Sequence, residues 1–250
     1  MRMRSEFGSR DRVGNPPSAP GAVRLDKLLA NLGYGSRADV KMMIHRGWVH
    51  VEGQVERREA TKVDPALVTV HREPLDHPGP LHLALHKPLG VSCSHDEREG
   101  PLVYELLPPR WQDRNPRIES VGRLDRDTSG LLLLTDDHQL LHRLTSPKHH
   151  VEKRYVATLA SEPPDDLVET FAAGTLMLER ETTPCLPAAA EILSSRNVSV
   201  TLTEGRYHQV RRMFAAVGCH VEQLERTRVG EIELGAMGPG EYRVLSVPPA

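Results

Sequence analysis

Two carboxylates, Asp125 and Asp127, lie in the polar loop Val121-Gly-Arg-Leu-Asp-Arg-Asp-Thr-Ser. The loop runs through Gly130 into the leucines 131–134 and stops on Thr135-Asp136-Asp137. A continuous apolar run between turn residues reads as a fully buried strand. A charged loop entering such a strand holds its side chains on a rigid support, which suits a carboxylate acting as nucleophile or base. The plainer reading is a turn aspartate bonded to nearby amides, and the loop taken alone favours it. A second set of reactive types is Arg206, His208, Arg211 and Arg212, packed into seven residues with no acid among them. Tyr155, in Glu152-Lys153-Arg154-Tyr155, stands in a strand-like segment where packing is the usual role of a tyrosine.

The remaining chemistry-bearing residues do not cluster. Cys93, Cys185 and Cys219 are far apart in the chain and the thirteen histidines are scattered. This argues against a zinc site or a disulfide framework, and it fits a reducing cytoplasm. No metal is expected. There is no Gly-rich phosphate loop either, so no nucleotide cofactor is expected. Net charge is −2, but its distribution is uneven. Residues 161–181 carry six acids against Arg180 alone, while 206–212 are purely basic, so one face could meet phosphate while another stays acidic. Apolar content of 38% and charged content of 26% fit a soluble globular chain. No run approaches the roughly 20 apolar residues needed to cross a bilayer.

The elements that must position these residues follow from periodicity. Residues 1–22 are rich in Gly, Pro and Ser with interspersed arginines, and read as a disordered basic arm. Leu25, Leu28, Leu29 and Leu32 form one stripe of a short helix that Gly33 closes. Ser36 is a good N-cap, with Asp39 at the third helical position, for a second helix with Val40, Met43 and Ile44 as its stripe. A hairpin across Glu52-Gly53 and a strand at 67–70 complete a small module over 23–70. Pro74, Pro78, Gly79 and Pro80 make 71–80 a linker, and a larger domain spans 81–250. Within it 161–178 reads as a helix with Leu167, Val168, Phe171 and Ala172 as its apolar side. Val198, Val200 and Leu202 mark a half-buried strand. From Arg206 the chain turns helical, with Val210, Met213, Phe214 and Val217 buried and His208, Arg211 and Arg212 opposite. The expected fold class is α+β, a small N-terminal module and a larger domain on a mostly antiparallel mixed sheet.

The wording of the central stretch carries more than its composition. Gly122-Arg-Leu-Asp125 followed by Thr128, Gly130 and Leu-Leu-Leu-Leu-Thr resembles the active-site signature of the RsuA/RluA-type pseudouridine synthases. Lys87-Pro88-x-Gly90 matches their first motif, with His86 where Asn is usual. His138 replaces a frequent Gly. Val-Arg-Leu-Asp-Lys-Leu-Leu, Gly-Ser-Arg and Gly-Trp-Val-His-Val-Glu-Gly resemble the S4 RNA-binding domain. The resemblance spans about residues 23–246. It implies Asp125 as the catalytic aspartate, Tyr155 as the ring stacked on the target uracil, and Arg211 as the basic partner of Asp125. It also implies RNA contacts from Arg24, Lys27, Ser36, Arg37, Lys41 and Arg46 in the module, and from Arg123, Lys153, Arg206, His208 and Arg212 around the site. Arg206-Tyr-His-Gln-Val-Arg-Arg-Met-Phe is most similar to the subfamily acting on one uridine of bacterial 16S rRNA. The expected partner is therefore 16S rRNA or a small-subunit assembly intermediate, bound by a monomer. A 23S rRNA target and a non-catalytic S4-containing assembly factor are the alternatives, and a DNA-binding module lacks a recognition-helix pattern.

Overall fold

A computed structural model describes residues 21–146 and 149–246. The basic arm expected over 1–22 lies almost wholly outside the described residues. The N-terminal unit contains β1 (Val23–Arg24), α1 (Leu25–Asn31), α2 (Arg37–His45), β2 (Val49–Val51), β3 (Gln54–Val55), β4 (Lys62–Val63), β5 (Val68–Val70) and β6 (Glu73–Pro74). The leucine stripe of α1 packs on Val40, Met43 and Ile44 of α2 and on the valines of the small sheet. Ser36 closes a capping box with Asp39, so its hydroxyl serves the helix start and is not free for RNA. β6 pairs with β5, and Leu75 is buried in this unit's core. The first half of the expected linker thus belongs structurally to the module.

The larger unit is built on a sheet in the order β11-β12-β10-β13-β9-β7-β15, where β7 is His82–Lys87, β9 Ser129–Thr135, β10 Lys153–Leu159, β11 Ala189–Ile192, β12 Asn197–Leu202, β13 Val221–Val229 and β15 Tyr242–Val244; off this path β8 (Glu119–Ser120) pairs with β9 and β14 (Ile232–Glu233) with β13. Of the pairings along that path, β9–β13 is parallel and the others are antiparallel. The four leucines form the middle of β9, and both faces of that strand are buried: Leu132 and Leu134 enter one core, Leu131 and Leu133 another. Covering both faces explains why the strand reads as an unbroken apolar run.

The helices of this unit, beginning with the short α3 (Pro109–Gln112), differ in extent from what periodicity predicts. α5 covers only Leu167–Ala172, because Pro163-Pro164 precede it and Gly174 at φ +66 follows. Leu167 and Phe171 are its buried residues, whereas Ala172 is exposed. α6 (Gln209–Ala216) begins three residues after Arg206. Arg206, Tyr207 and His208 therefore stay in a loop, His208 in the left-handed region at φ +48. Val210, Met213 and Phe214 dock α6 on the core that also receives Tyr155. α4 (His138–Thr145), which the sequence reading did not anticipate, is capped by Asp137 and lies on the other core with Leu140 and Leu144.

The chain between the two units is anchored. Arg114, nearly fully buried, donates to His77 O at 3.1 Å and Gly79 O at 2.8 Å and pairs with Asp136 at 2.7 Å. Asp136 in turn accepts from Leu81 N at 2.7 Å. A buried ion pair that also satisfies three backbone groups holds its place well, because losing one partner strands the other.

Candidate active site

The row of residues that crosses the sheet at the entry to β9 builds the site. Gly130 pairs with Lys87 on β7 and with Arg226 on β13, and Arg226 pairs with Tyr155 on β10. Residues paired side by side share a sheet face, so Lys87, Arg226 and Tyr155 project together. A side chain at position 130 has no room, since a Cβ there would stand 2.3 Å from Arg226 O. Gly130 at φ +106 is thus needed for both conformation and close approach. A register shift lies between Arg154 and Tyr155 against β13, the kind of irregularity that re-aims a side chain beside a site.

Asp125 and Asp127 stand above this row, in the loop that feeds β9. The loop is braced from β7: Lys87 donates to Pro88 O at 2.9 Å and Val91 O at 2.8 Å, shaping the turn that follows its strand. Gly90 N then donates to Arg126 O at 2.8 Å, and Arg126 Nε returns a bond to Gly90 O at 3.0 Å. Lys87 is fully buried. Burial pushes its ammonium below the ordinary lysine range, with Arg226 adding to the shift and Cys93, Asp127 and Asp125 opposing it. Lys153 moves the same way, first through burial and then through Arg226. The thiol of Cys93, by contrast, is raised by burial.

The cationic partners are arranged differently from expectation. Arg211 does not reach Asp125. Its Nη2 lies 3.2 Å from the Asp127 carboxylate and donates to Asp127 O at 2.9 Å, while Nη1 donates to Val221 O at 3.0 Å. The ring of His208 is the group beside Asp125, with Nε2 to Oδ1 at 3.4 Å. The physical reason is the late start of α6, which leaves His208 in the loop facing the aspartate and swings Arg211 one turn further along. His208 is itself stacked on Tyr207, centroids 3.8 Å apart. Asp125, Tyr155, Lys153, His208, Arg211 and Arg123 all line one open cleft of about 1530 Å³. Arg123 is exposed at its edge.

Arg206 lines the cleft as well, but it and Arg212 spend their donors on neighbouring acids and carbonyls. Arg206 pairs with Glu204 at 3.1 Å and Glu181 at 3.6 Å and donates to Thr183 O at 2.8 Å and to Pro184 O. Arg212 pairs with Glu181 at 2.9 Å and donates to Tyr207 O at 3.1 Å. In the N-terminal unit Lys27, Arg37, Lys41 and Arg46 are exposed, Arg46 lying over Trp48 at 5.2 Å. Arg24 pairs with Asp26 at 2.8 Å and Lys41 with Glu59 at 3.1 Å, both at the surface.

The sequence reading gave no role to Arg226. Its signal was a charged residue in a strand whose flanking positions, Leu224 and Val229, are buried. Among the described residues no group of three or more His, Cys, Asp or Glu side chains is placed to hold a metal ion, and no helix is long and apolar enough to cross a membrane.

Known proteins resemble both units of the chain. The RNA pseudouridylate synthase family pattern matches residues 82–216, and the S4 domain pattern matches residues 23–68. This chain belongs to the RNA pseudouridylate synthase family. The enzyme is 44% identical over 229 residues to the ribosomal small subunit pseudouridine synthase A of Escherichia coli (strain K12), covering 90% of this chain and 96% of that one. It is 41% identical over 231 residues to the uncharacterized RNA pseudouridine synthase YtzG of Bacillus subtilis (strain 168), with 90% and 95% coverage. A crystal structure of a pseudouridylate synthase aligns with a TM-score of 0.62 at 36% identity, covering 90% of this chain and 96% of that one. The synthase therefore carries an S4 domain ahead of an α+β catalytic fold.

Proposed function

We propose that this synthase isomerises one uridine of 16S ribosomal RNA, free or within a small-subunit assembly intermediate, and that Asp125 is its catalytic carboxylate. One observation carries the site assignment: Asp125 enters the same cleft as the Tyr155 ring, the buried Arg226 and the half-buried Lys153, on a loop braced from two sides. The 16S assignment is supported by similarity across nearly the whole chain to enzymes named for the small subunit.

The reaction breaks the C1′–N1 bond, turns the detached uracil and rejoins it through C5, with loss of the C5 proton. The target nucleotide must leave its stack to enter the cleft, and an aromatic face is the physical means of holding it there. Tyr155 supplies that face. Asp125 acts on the nucleoside, either as nucleophile or as base toward a sugar proton, and the His208 ring beside it fixes its orientation. Arg211 is a positioning residue: through Asp127 it ties the loop to α6 and β13. Lys27, Arg37 and Arg46 hold the surrounding RNA through phosphate and shape. Arg123, at the edge of the cleft, meets the strand where the uridine leaves it.

The test uses transcripts of 16S and 23S RNA labelled with tritium at C5 of uridine, free and in subunit precursors. Release from 16S alone supports the proposal. Release from 23S alone moves the target to the large subunit, and tight binding without release from either makes the protein an assembly factor.

A further inference from the structure

We propose that Arg226 is a further catalytic residue, whose free Nη2 donates a hydrogen bond to a carbonyl oxygen of the extruded uracil and stabilises the negative charge gathered there as C1′–N1 breaks. The proposal rests on the reading of the Asp125 cleft as the place of reaction.

Three observations converge on it. First, Arg226 is 2% exposed, yet among the described residues its Nη2 has no hydrogen-bond partner. Leaving a buried charged donor unpaired is costly, so such a group in a cleft is explained by a ligand that completes it. Second, the guanidinium is aimed. Nε is fixed by Leu131 O at 2.8 Å behind the sheet row, and Cζ lies 6.0 Å from the centroid of the Tyr155 ring. A planar base held on that ring therefore comes within reach of the fork. Third, among the described residues the cleft carboxylates are paired elsewhere, Asp125 with His208 and Asp127 with Arg211, and none pairs with Arg226, while Lys87 and Lys153 add positive charge nearby. Thr128 Oγ1, also buried and unpartnered, lines the same cleft.

The electron count fits. When C1′–N1 breaks, both electrons leave with N1 and the anion spreads over O2 and O4. Bond formation between C5 and C1′ consumes that pair, C5 gives up its proton, and N1 takes one up. A fixed donor at a carbonyl oxygen stabilises the anion in both half-reactions, which is how preorganised donors accelerate reactions that develop charge. Such a donor strengthens as charge develops and contributes little to holding the neutral base.

The experiment measures single-turnover conversion in the 16S transcript by chromatography of the digested RNA, for wild type, Arg226→Gln, Arg226→Lys and, as a control, Asp125→Asn. Arg226→Gln is expected to keep its melting temperature and RNA affinity while losing about 10²–10³-fold in rate, the range for removing one such donor. Arg226→Lys is expected to regain at least about tenfold, because charge returns without the fork. A folded Arg226→Gln within about threefold of wild type overturns the proposal. The wild-type arm does not depend on the variant folding. With 2-thiouridine or 4-thiouridine at the target, the sulfur accepts a hydrogen bond weakly, and one of the two is expected to slow turnover at least about tenfold. Neither being slowed overturns the proposal. Full activity of Asp125→Asn would instead count against the cleft reading itself, so the two failures are distinguishable.

Discussion

Two basic strips look alike in the chain and differ in the folded protein. The first is the set on the N-terminal helices, where Lys27, Arg37 and Arg46 are exposed. The second is Arg206 to Arg212, which is acid-free over its seven residues but meets acid in space. Glu181 and Glu204 reach Arg206 and Arg212, and loop carbonyls take their remaining donors. The acidic segment ends against the basic strip, so the two do not form separate faces. Local charge in sequence therefore counts donors but not their partners, and a strip becomes a phosphate surface only where its guanidiniums stay unspent.

That contrast can be broken from either side. The largest effect is expected from Arg206→Ala, which removes two ion pairs and two carbonyl bonds at a largely buried side chain. It should lower unfolding free energy by about 2–3 kcal/mol in urea titration, below the value for a fully buried pair because solvent screens part of it. RNA affinity of the folded fraction should change by less than about twofold. Equal loss of affinity and no loss of stability would reverse the assignment of this strip. The triple change Lys27→Gln, Arg37→Gln and Arg46→Gln should behave in the opposite way. About tenfold weaker RNA binding is expected, with a shallower salt slope by roughly one unit per lost phosphate contact and stability within about 0.5 kcal/mol. The smallest effect sharpens the comparison: Glu181→Gln frees part of Arg206 and Arg212, and RNA affinity at low salt should rise by about twofold.

The difference between the strips also marks what was legible. Elements set by local pattern were readable: the α1 leucine stripe, the Ser36–Asp39 box, the Glu52-Gly53 turn and the buried β9 leucines all appear where periodicity and capping place them. Asp125 and Tyr155 were reached through resemblance, since spacing alone favoured a turn and a packing tyrosine. What could not be read depends on pairs distant in the chain. Arg211 was expected beside Asp125 and instead holds Asp127, because the position of His208 is set by a left-handed turn that no periodicity reveals. Arg226 was hidden for the same reason, since its significance lies in standing level with Tyr155 and Gly130 on neighbouring strands. The helix read over 161–178 shrank to six residues because the two prolines before it and Gly174 after it outweighed its apolar spacing.

The cleft reading makes Asp125 the one group whose loss should abolish chemistry while leaving the RNA-holding surface intact. Tritium release from C5-labelled 16S transcript is the direct measurement, with wild type and Asp125→Asn compared at matched RNA occupancy. The prediction is release by wild type, and a folded variant that binds RNA within about threefold yet releases at least about 10³-fold more slowly. Release by Asp125→Asn within about tenfold of wild type would contradict the account, because the isomerisation would then not depend on this carboxylate.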